Sequence, residues 1–413
     1  MPKLSLSIGR FSKVGAYLFV LVMLTCLPSA SVYADDTNSL RVVGNEVITA
    51  SGKQFIPEGI SIYGGLEASD YNTNNGNIYA QITAAYQYWH ANTIRLQVAE
   101  DDLFTHLKRG QTYNPQFLAA IVQQVNYIRS LGMVAVINDQ TEFTDNTPNP
   151  TNETSHFWKI VAAKFKSSPY VIFDIFNEPR LISKANMSPL GVSVAPDPFL
   201  DPNLMAHRKP IVPISDNQAW EIWRNGGTVN GVAYVGMQQL VNEIRKTGAQ
   251  NLVWVEGTYD ALRLPPNQYL LHGTNIVYSI HHANLNSPGS WRSIARLAAI
   301  RPVVEGEWAQ YESSWAECYS RAYTDAPKYL NFLHGLRIGV IAWSLQPNSL
   351  VKGNAHIGQP DNLNTPSSTD QASKLALPTT LTPTYVCGKG HGQGVGQLLQ
   401  SYFSQNSLVY HLE

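Results

Sequence analysis

The sequence predicts an α/β protein: a (β/α)8 TIM barrel with a short N-terminal hairpin and long βα loops after strands 4 and 8. Three observations carry this. Eight short apolar runs alternate with helical patterns, the mark of βα units and a parallel sheet. Several of those runs are apolar nearly throughout, as strands covered on both faces must be. Two of them lead into glutamates, Glu178 and Glu307, at their C-terminal ends, the face where a parallel barrel gathers its functional groups. No Gly-x-Gly-x-x-Gly follows any strand, which removes the main sequence argument for an open dinucleotide-binding sheet.

Residues 1–34 read as a signal peptide. Lys3, Arg10 and Lys13 give a basic start, Val14 to Leu27 an apolar stretch, and Val32-Tyr-Ala34 small residues for cleavage. The stretch falls short of the roughly 20 apolar residues of a membrane span, and Leu24 and Thr25 disfavour lipidation at Cys26. Export is therefore expected, to the periplasm or the extracellular space, with no membrane attachment after cleavage. Residues 35–413 are expected to form one catalytic domain, since no linker or internal repeat interrupts them. Its first element is a hairpin over Leu40 to Ile48, continued by Ser51-Gly-Lys53 and placed to plug the barrel base. The predicted strands are 55–61, 93–98, 133–138, 171–176, 251–256, 276–280, 303–307 and 339–343. Helical patterns are clearest at 78–90, 116–130, 153–166 and 232–246. Leu131-Gly132 and Thr247-Gly248 are helix stops before the next strand. Two loops, 180–219 and 346–393, are rich in Pro, Asn and Asp and would overhang the C-terminal face; loops this long are usually functional or mobile.

Composition narrows the partners. Net charge is −1 without a Lys/Arg cluster, which argues against nucleic acid. Charged residues make up 14%, against about 25% in an average soluble protein, so the surface is largely neutral and polar and suits a hydroxyl-rich ligand. Flat aromatic rings pack on such ligands, and the chain has 9 Trp and 21 Tyr. Trp89, Trp158, Trp220, Trp223 and Trp291 are read as packing residues, and Trp308 and Trp315 as walls of a binding cleft. After loss of Cys26, Cys318 and Cys387 remain, and an exported pair could form a disulfide. No Cys or His spacing suggests a metal, and His281-His282 are adjacent rather than helically spaced. No cofactor is expected, and the chain is expected to be a monomer.

The candidate chemistry lies at the strand ends. Glu178 follows a buried strand and precedes Pro179, which cannot continue a ladder. Glu307 has the same placement, and Glu305, two residues earlier, is expected on the same side of the strand. Pattern alone leaves Glu305 and Glu307 in competition, with Arg95 one possible partner for Glu305. Asp174, inside the fourth strand, reads as a buried structural carboxylate. Asp139 and Glu142 are placed to line the cleft.

These residues resemble glycoside hydrolase family 5, the cellulase-type (β/α)8 enzymes, over most of the chain after the leader. The strongest matches are Asn177-Glu178-Pro179 and Gly306-Glu307. The resemblance implies that Glu178 is the general acid/base and Glu307 the nucleophile, which demotes Glu305. It further implies that Asn177 binds the sugar 2-hydroxyl, that Arg95 positions the nucleophile, that His281 is an active-site histidine, and that Trp343 lies under the sugar at the cleavage point. Two positions depart from the family pattern. Gln140, in Asn138-Asp139-Gln140, stands where the family has a histidine, and Ala283 stands where it has a tyrosine. Gln140 is retained as a substrate-binding candidate.

The implied reaction needs both carboxyls. Glycosidic cleavage passes through an oxocarbenium-like state that calls for a proton on the leaving oxygen and an anion on the opposite face. Retaining enzymes set the two groups about 5–5.5 Å apart. Glu178 then needs a raised pKa while it acts as acid, and Arg95 is expected to keep Glu307 ionised. The expectation is a secreted, retaining β-glycoside hydrolase, endo-acting on β-1,4-glucan. A β-mannanase, an exo-β-glucosidase and a weakly catalytic carbohydrate-binding protein are the alternatives.

Overall fold

The computed structural model describes residues 39–66, 78–141, 148–181, 214–229, 231–281, 288–308, 322–345, 350 and 395–406. The described residues belong to one compact unit, and residues 1–38 lie outside them. The predicted leader, most of both long loops, Glu142, His282, Ala283, Trp315, Cys318 and Cys387 also lie outside them.

The chain opens with a hairpin of β1 (Arg41–Val43) and β2 (Glu46–Ile48). Eight strands then close a parallel barrel: β3 (Glu58–Leu66), β4 (Thr93–Val98), β5 (Val134–Asp139), β6 (Val171–Asp174), β9 (Val253–Glu256), β10 (Ile276–His281), β11 (Val303–Trp308) and β12 (Gly339–Ala342). Between β6 and β9 a second hairpin joins β7 (Gly227–Val229) to β8 (Val232–Tyr234). Each barrel strand falls on one of the eight predicted runs. The helices are α1 (Ile78–Trp89), α2 (Pro115–Ser130), α3 (Asn152–Phe165), α4 (Asp216–Asn225), α5 (Met237–Lys246), α6 (Pro288–Ala298), α7 (Ala322–Gly335) and α8 (Val395–Asn406).

Local chemistry explains the helix ends. Asn114 caps α2 by accepting from the N–H groups of Gln116 and Phe117, and Pro115 sits where a missing N–H does no harm. Phe117, Ile121, Val125 and Ile128 then bury one face of that helix. Thr151 and Thr154 form a capping box on α3, and Ser215 and Gln218 form one on α4. The helix predicted over 232–246 is corrected at its start. Val232–Tyr234 pair with Gly227–Val229, and the helix begins only at Met237. Gly236 makes this possible, because a Cβ there would fall 2.3 Å from the Gly226 nitrogen. The end of the predicted 180–219 loop is likewise helical, since α4 starts at Asp216.

The core has two layers. Between barrel and helices lies the larger, including Ile94, Phe117, Trp158, Phe173, Tyr278 and Tyr329. Inside the barrel, Val134, Val136, Ile172, Leu252, Trp254, Val277, Val304 and Ile341 pack together, and Leu40, Val47 and Phe55 of the N-terminal segment join them. The hairpin therefore plugs the base, as expected. Because residues two apart share a face of a strand, the positions above this apolar floor are Asn138, Asp174, Glu256 and Ser279.

Candidate active site

Arg95, in the middle of β4, is fully buried and organises the barrel mouth. Its Nε donates to Asp174 Oδ2 at 2.8 Å, Nη1 to Glu307 Oε2 at 2.9 Å, and Nη2 to Asn177 Oδ1 at 2.6 Å and Glu256 Oε1 at 3.0 Å. Only a planar guanidinium fork reaches four acceptors in this way. Burial works against its charge, but Asp174, Glu307 and Glu256 push its pKa further up, so it is a permanent cation.

The β10 tip supplies His281, also fully buried. Its Nδ1 lies 3.1 Å from Glu178 Oε1 and 3.5 Å from Glu307 Oε2, and its Nε2 lies 3.0 Å from Glu256 Oε1. Burial opposes its charge too, yet Glu256 and Glu307, with hydrogen bonds to Glu178 and Glu256, hold it well above 6.5. Its two ring nitrogens thus face carboxylates on both sides, which favours the protonated form. One carboxylate oxygen of Glu178, one of Glu307 and one nitrogen of His281 all lie within 4.8 Å of one another. That spacing could suit a divalent ion, but the guanidinium on Glu307 already supplies a cation, which disfavours a second.

Burial raises the acids. Glu307 is pushed up to about 7 by desolvation and by Glu178 and Glu256, although His281 and Arg95 pull it down. Arg95 thus acts in the expected direction without overcoming burial. Asp174 rises to about 8, through burial and the neighbouring Glu256.

Glu178 has a left-handed backbone, with φ at 45°, a conformation that costs of order 1–3 kcal/mol outside glycine. It is held from both sides. The N–H of Asn177 donates to the Asp139 carbonyl at 2.8 Å, and the N–H of Glu178 donates to Glu256 Oε2 at 2.6 Å.

The β11 tip corrects one expectation. Glu305 and Glu307 do not share a face. The register shifts on both sides of the strand: Ile280 pairs with Glu305 but His281 with Glu307, and Glu305 with Val340 but Trp308 with Ala342. The extra residue of this bulge turns Glu307 inward and leaves Glu305 outward. Glu305 accepts from the Tyr329 hydroxyl of α7 rather than from Arg95. Gly306 permits the bulge, because a Cβ there would lie 2.0 Å from Ser279 Oγ and 3.1 Å from His281 Nε2.

Two more expectations change. Trp308 follows the bulge to the outer face, is 1% exposed and packs against Tyr329 with ring centroids 6.0 Å apart, so it is core rather than a cleft wall. Asp139 also faces outward, buried against Thr141 and Glu100, and does not line the cleft. Trp343, just past β12, is half-buried, and its N–H donates to the Trp308 carbonyl at 3.1 Å. Gln140 is buried where β5 ends, its N–H on the Val98 carbonyl at 2.8 Å. Trp89, Trp158, Trp220 and Trp223 are packing residues, as expected.

Sequence reasoning missed Glu256. Its run, Val253-Trp-Val-Glu256, is apolar and ends on a glutamate at a strand tip. The signal that singled out Glu178 and Glu307 was therefore present a third time.

A family model for cellulase (glycosyl hydrolase family 5) matches residues 49–349. Solved structures with the same fold include a GH5 cellulase from an Icelandic hot spring isolate, at 17% identity, covering 89% of this chain and 94% of that one, with a TM-score of 0.53. The catalytic domain of endoglucanase Cel5A from Thermobifida fusca is 12% identical, covers 89% and 97%, and has a TM-score of 0.52. An endocellulase from Pyrococcus horikoshii, in a complex with cellotetraose, is 15% identical, covers 82% and 97%, and has a TM-score of 0.51. No curated protein matches the chain.

Proposed function

The chain belongs to glycosyl hydrolase family 5, the cellulase family, and is a glycoside hydrolase; from that premise we propose that it is a retaining, endo-acting β-1,4-glucanase. The observation that carries this reading is the approach of Glu178 and Glu307 to within 4.8 Å, with His281 between them. That is shorter than the about 6.5–9.5 Å at which inverting enzymes hold their carboxyls around a water, and it supports a nucleophile acting directly, as in retaining enzymes with carboxyls about 5–5.5 Å apart.

Glu307 attacks the anomeric carbon while Glu178 protonates the leaving oxygen, giving a glycosyl-enzyme ester and a free chain end. Glu178, now ionised, takes a proton from water as that water displaces Glu307. Arg95, at 2.9 Å, disperses the charge of Glu307 as nucleophile and as leaving group. Asn177 faces the 2-hydroxyl and Trp343 stacks under the sugar in this assignment. The catalytic carboxyls themselves argue against a carbohydrate-binding protein without turnover.

The reaction is tested by hydrolysis of β-glucan, mannan, xylan and aryl glycosides by wild type, Glu178→Gln, Glu307→Gln and Glu305→Gln. Loss of turnover in the first two variants alone supports the assignment; loss in Glu305→Gln with Glu307→Gln active refutes it. The configuration of the first product, read by proton NMR, separates retention from inversion. Viscosity falling faster than reducing ends accumulate supports endo action, and greater turnover of mannan would reassign the substrate. Export also belongs to this proposal. A mature N-terminus at Asp35 in material recovered outside the cytoplasm is the expected result.

A further inference from the structure

Among the described residues, the side chain of Glu256 meets Arg95, His281 and the main chain of Glu178, all of them reacting groups or their holders. It ends β9, is fully buried, and is anchored by the Trp223 indole, which donates to its main-chain carbonyl at 2.8 Å. Gly257 follows directly, and a Cβ there would fall 1.6 Å from the Arg263 carbonyl oxygen, so the chain must turn away at once. The side chain has nowhere to go but the barrel axis. There Oε2 accepts the Glu178 N–H at 2.6 Å, while Oε1 lies 3.0 Å from both Arg95 Nη2 and His281 Nε2.

We infer that Glu256 is a positioning residue that acts through Glu178, fixing the strained backbone from which the proton donor is presented. The inference rests on the proposed role of Glu178 as acid/base. Two donors, the Glu178 N–H and Arg95 Nη2, take one oxygen each, with His281 Nε2 3.0 Å from the second, and a carboxylate can accept on both oxygens at once. The main-chain N–H of Glu178 points inward because φ is 45°, and without an acceptor it would be a buried, unsatisfied donor. The same carboxylate also ties Arg95 to His281, so the holder of Glu307 and the neighbour of Glu178 move as one unit. Glutamine is isosteric but has a single oxygen. In Glu256→Gln its NH2 must face Arg95 and His281 or the Glu178 N–H, and either choice sets donor against donor.

The experiment compares wild type, Glu256→Gln, Glu256→Asp and Glu178→Gln on two aryl β-cellobiosides. One carries a dinitrophenolate, which departs without a proton; the other carries a poor leaving group that needs one. If Glu256 acts through the proton donor, Glu256→Gln loses kcat/KM, which reports the step that expels the leaving group, by about 10²-fold on the poor leaving group, as expected for a misplacement near 1 Å. On the dinitrophenyl substrate the loss in kcat/KM should shrink to about tenfold or less, since the first step no longer needs the general acid; kcat is not the readout there, because Glu178 also serves as base toward water in the second step. Glu256→Asp keeps the charge but withdraws it by one methylene, and should show the same leaving-group pattern; it decides the matter if Glu256→Gln does not fold. An equal loss on both substrates, or no loss, overturns the inference while Glu178→Gln still shows leaving-group dependence. If Glu178→Gln keeps full activity on the poor leaving group, the acid/base reading fails and this inference falls with it.

Discussion

The bulge at Gly306 separates a catalytic from a structural glutamate, and Gly306→Ala tests it directly. A Cβ there would stand 2.0 Å from Ser279 Oγ, about 1.4 Å inside ordinary van der Waals contact, and 3.1 Å from His281 Nε2. The main chain of β11 sits between two paired strands and cannot retreat as a whole, so the overlap must be relieved by Ser279, His281 or the bulge itself. Overpacking of this kind costs about 1–3 kcal/mol of stability. The larger effect is on rate, because displacing His281 or Glu307 by about 1 Å is worth roughly 10²-fold in kcat/KM. The double variant Ser279→Gly/Gly306→Ala removes the 2.0 Å clash and leaves only the milder one, so it should recover at least about tenfold of that loss. The assay is kcat and KM on a soluble β-glucan and an aryl β-cellobioside, with urea unfolding of the same samples. A Gly306→Ala enzyme within twofold of wild type, or a double variant no better than the single one, would refute the reasoning.

Other consequences follow from the same contacts. Glu58, Asp139 and Asp174 have folded pKa values raised to about 8, about 7 and about 8, and Glu307 is raised to about 7, all chiefly by burial. Groups raised on folding stabilise fully below their unfolded pKa and lose that contribution as pH rises through the folded value, so the urea midpoint should fall between pH 5 and pH 9; a flat or rising profile would contradict the shifts. Arg95→Met leaves Asp174, Glu256 and Glu307 without their cation, and should cost about 3–5 kcal/mol, read by thermal or urea unfolding, together with near-complete loss of turnover. Arg95→Lys keeps a charge but not the fork, and should recover part of the stability and little of the rate. Asn114→Ala removes the α2 cap far from the mouth, and should cost about 1 kcal/mol with kcat and KM unchanged.

Much of this was legible in one dimension because barrel strands announce themselves. An apolar run such as Val171-Ile-Phe with a helix pattern on either side can be buried only as a strand between two layers, and its C-terminal end must then meet the common mouth. Glu178 and Glu307 were found by that rule, whereas Arg95 and His281 took their site roles from the resemblance carried by Asn177-Glu178-Pro179 and Gly306-Glu307. The rule would have found Glu256 had it been applied to the fifth strand. The hairpin at 227–234 was missed because Val232-Ala-Tyr234 is apolar at a spacing that also suits a helix, and Gly236 breaks that pattern only through its contact with Gly226.

What the sequence by itself determined was the barrel, the order of its strands and the presence of carboxylates at its mouth, because these depend on local periodicity and on where buried runs stop. Only the tertiary structure decided which way those carboxylates point. Strand period places Glu305 and Glu307 together, but the paired edges of β10 and β12 absorb an extra residue at Gly306 and turn them apart, sending Trp308 to the core as well. The partners of Arg95 were likewise a matter of tertiary structure, since they come from strands that meet only across the closed barrel.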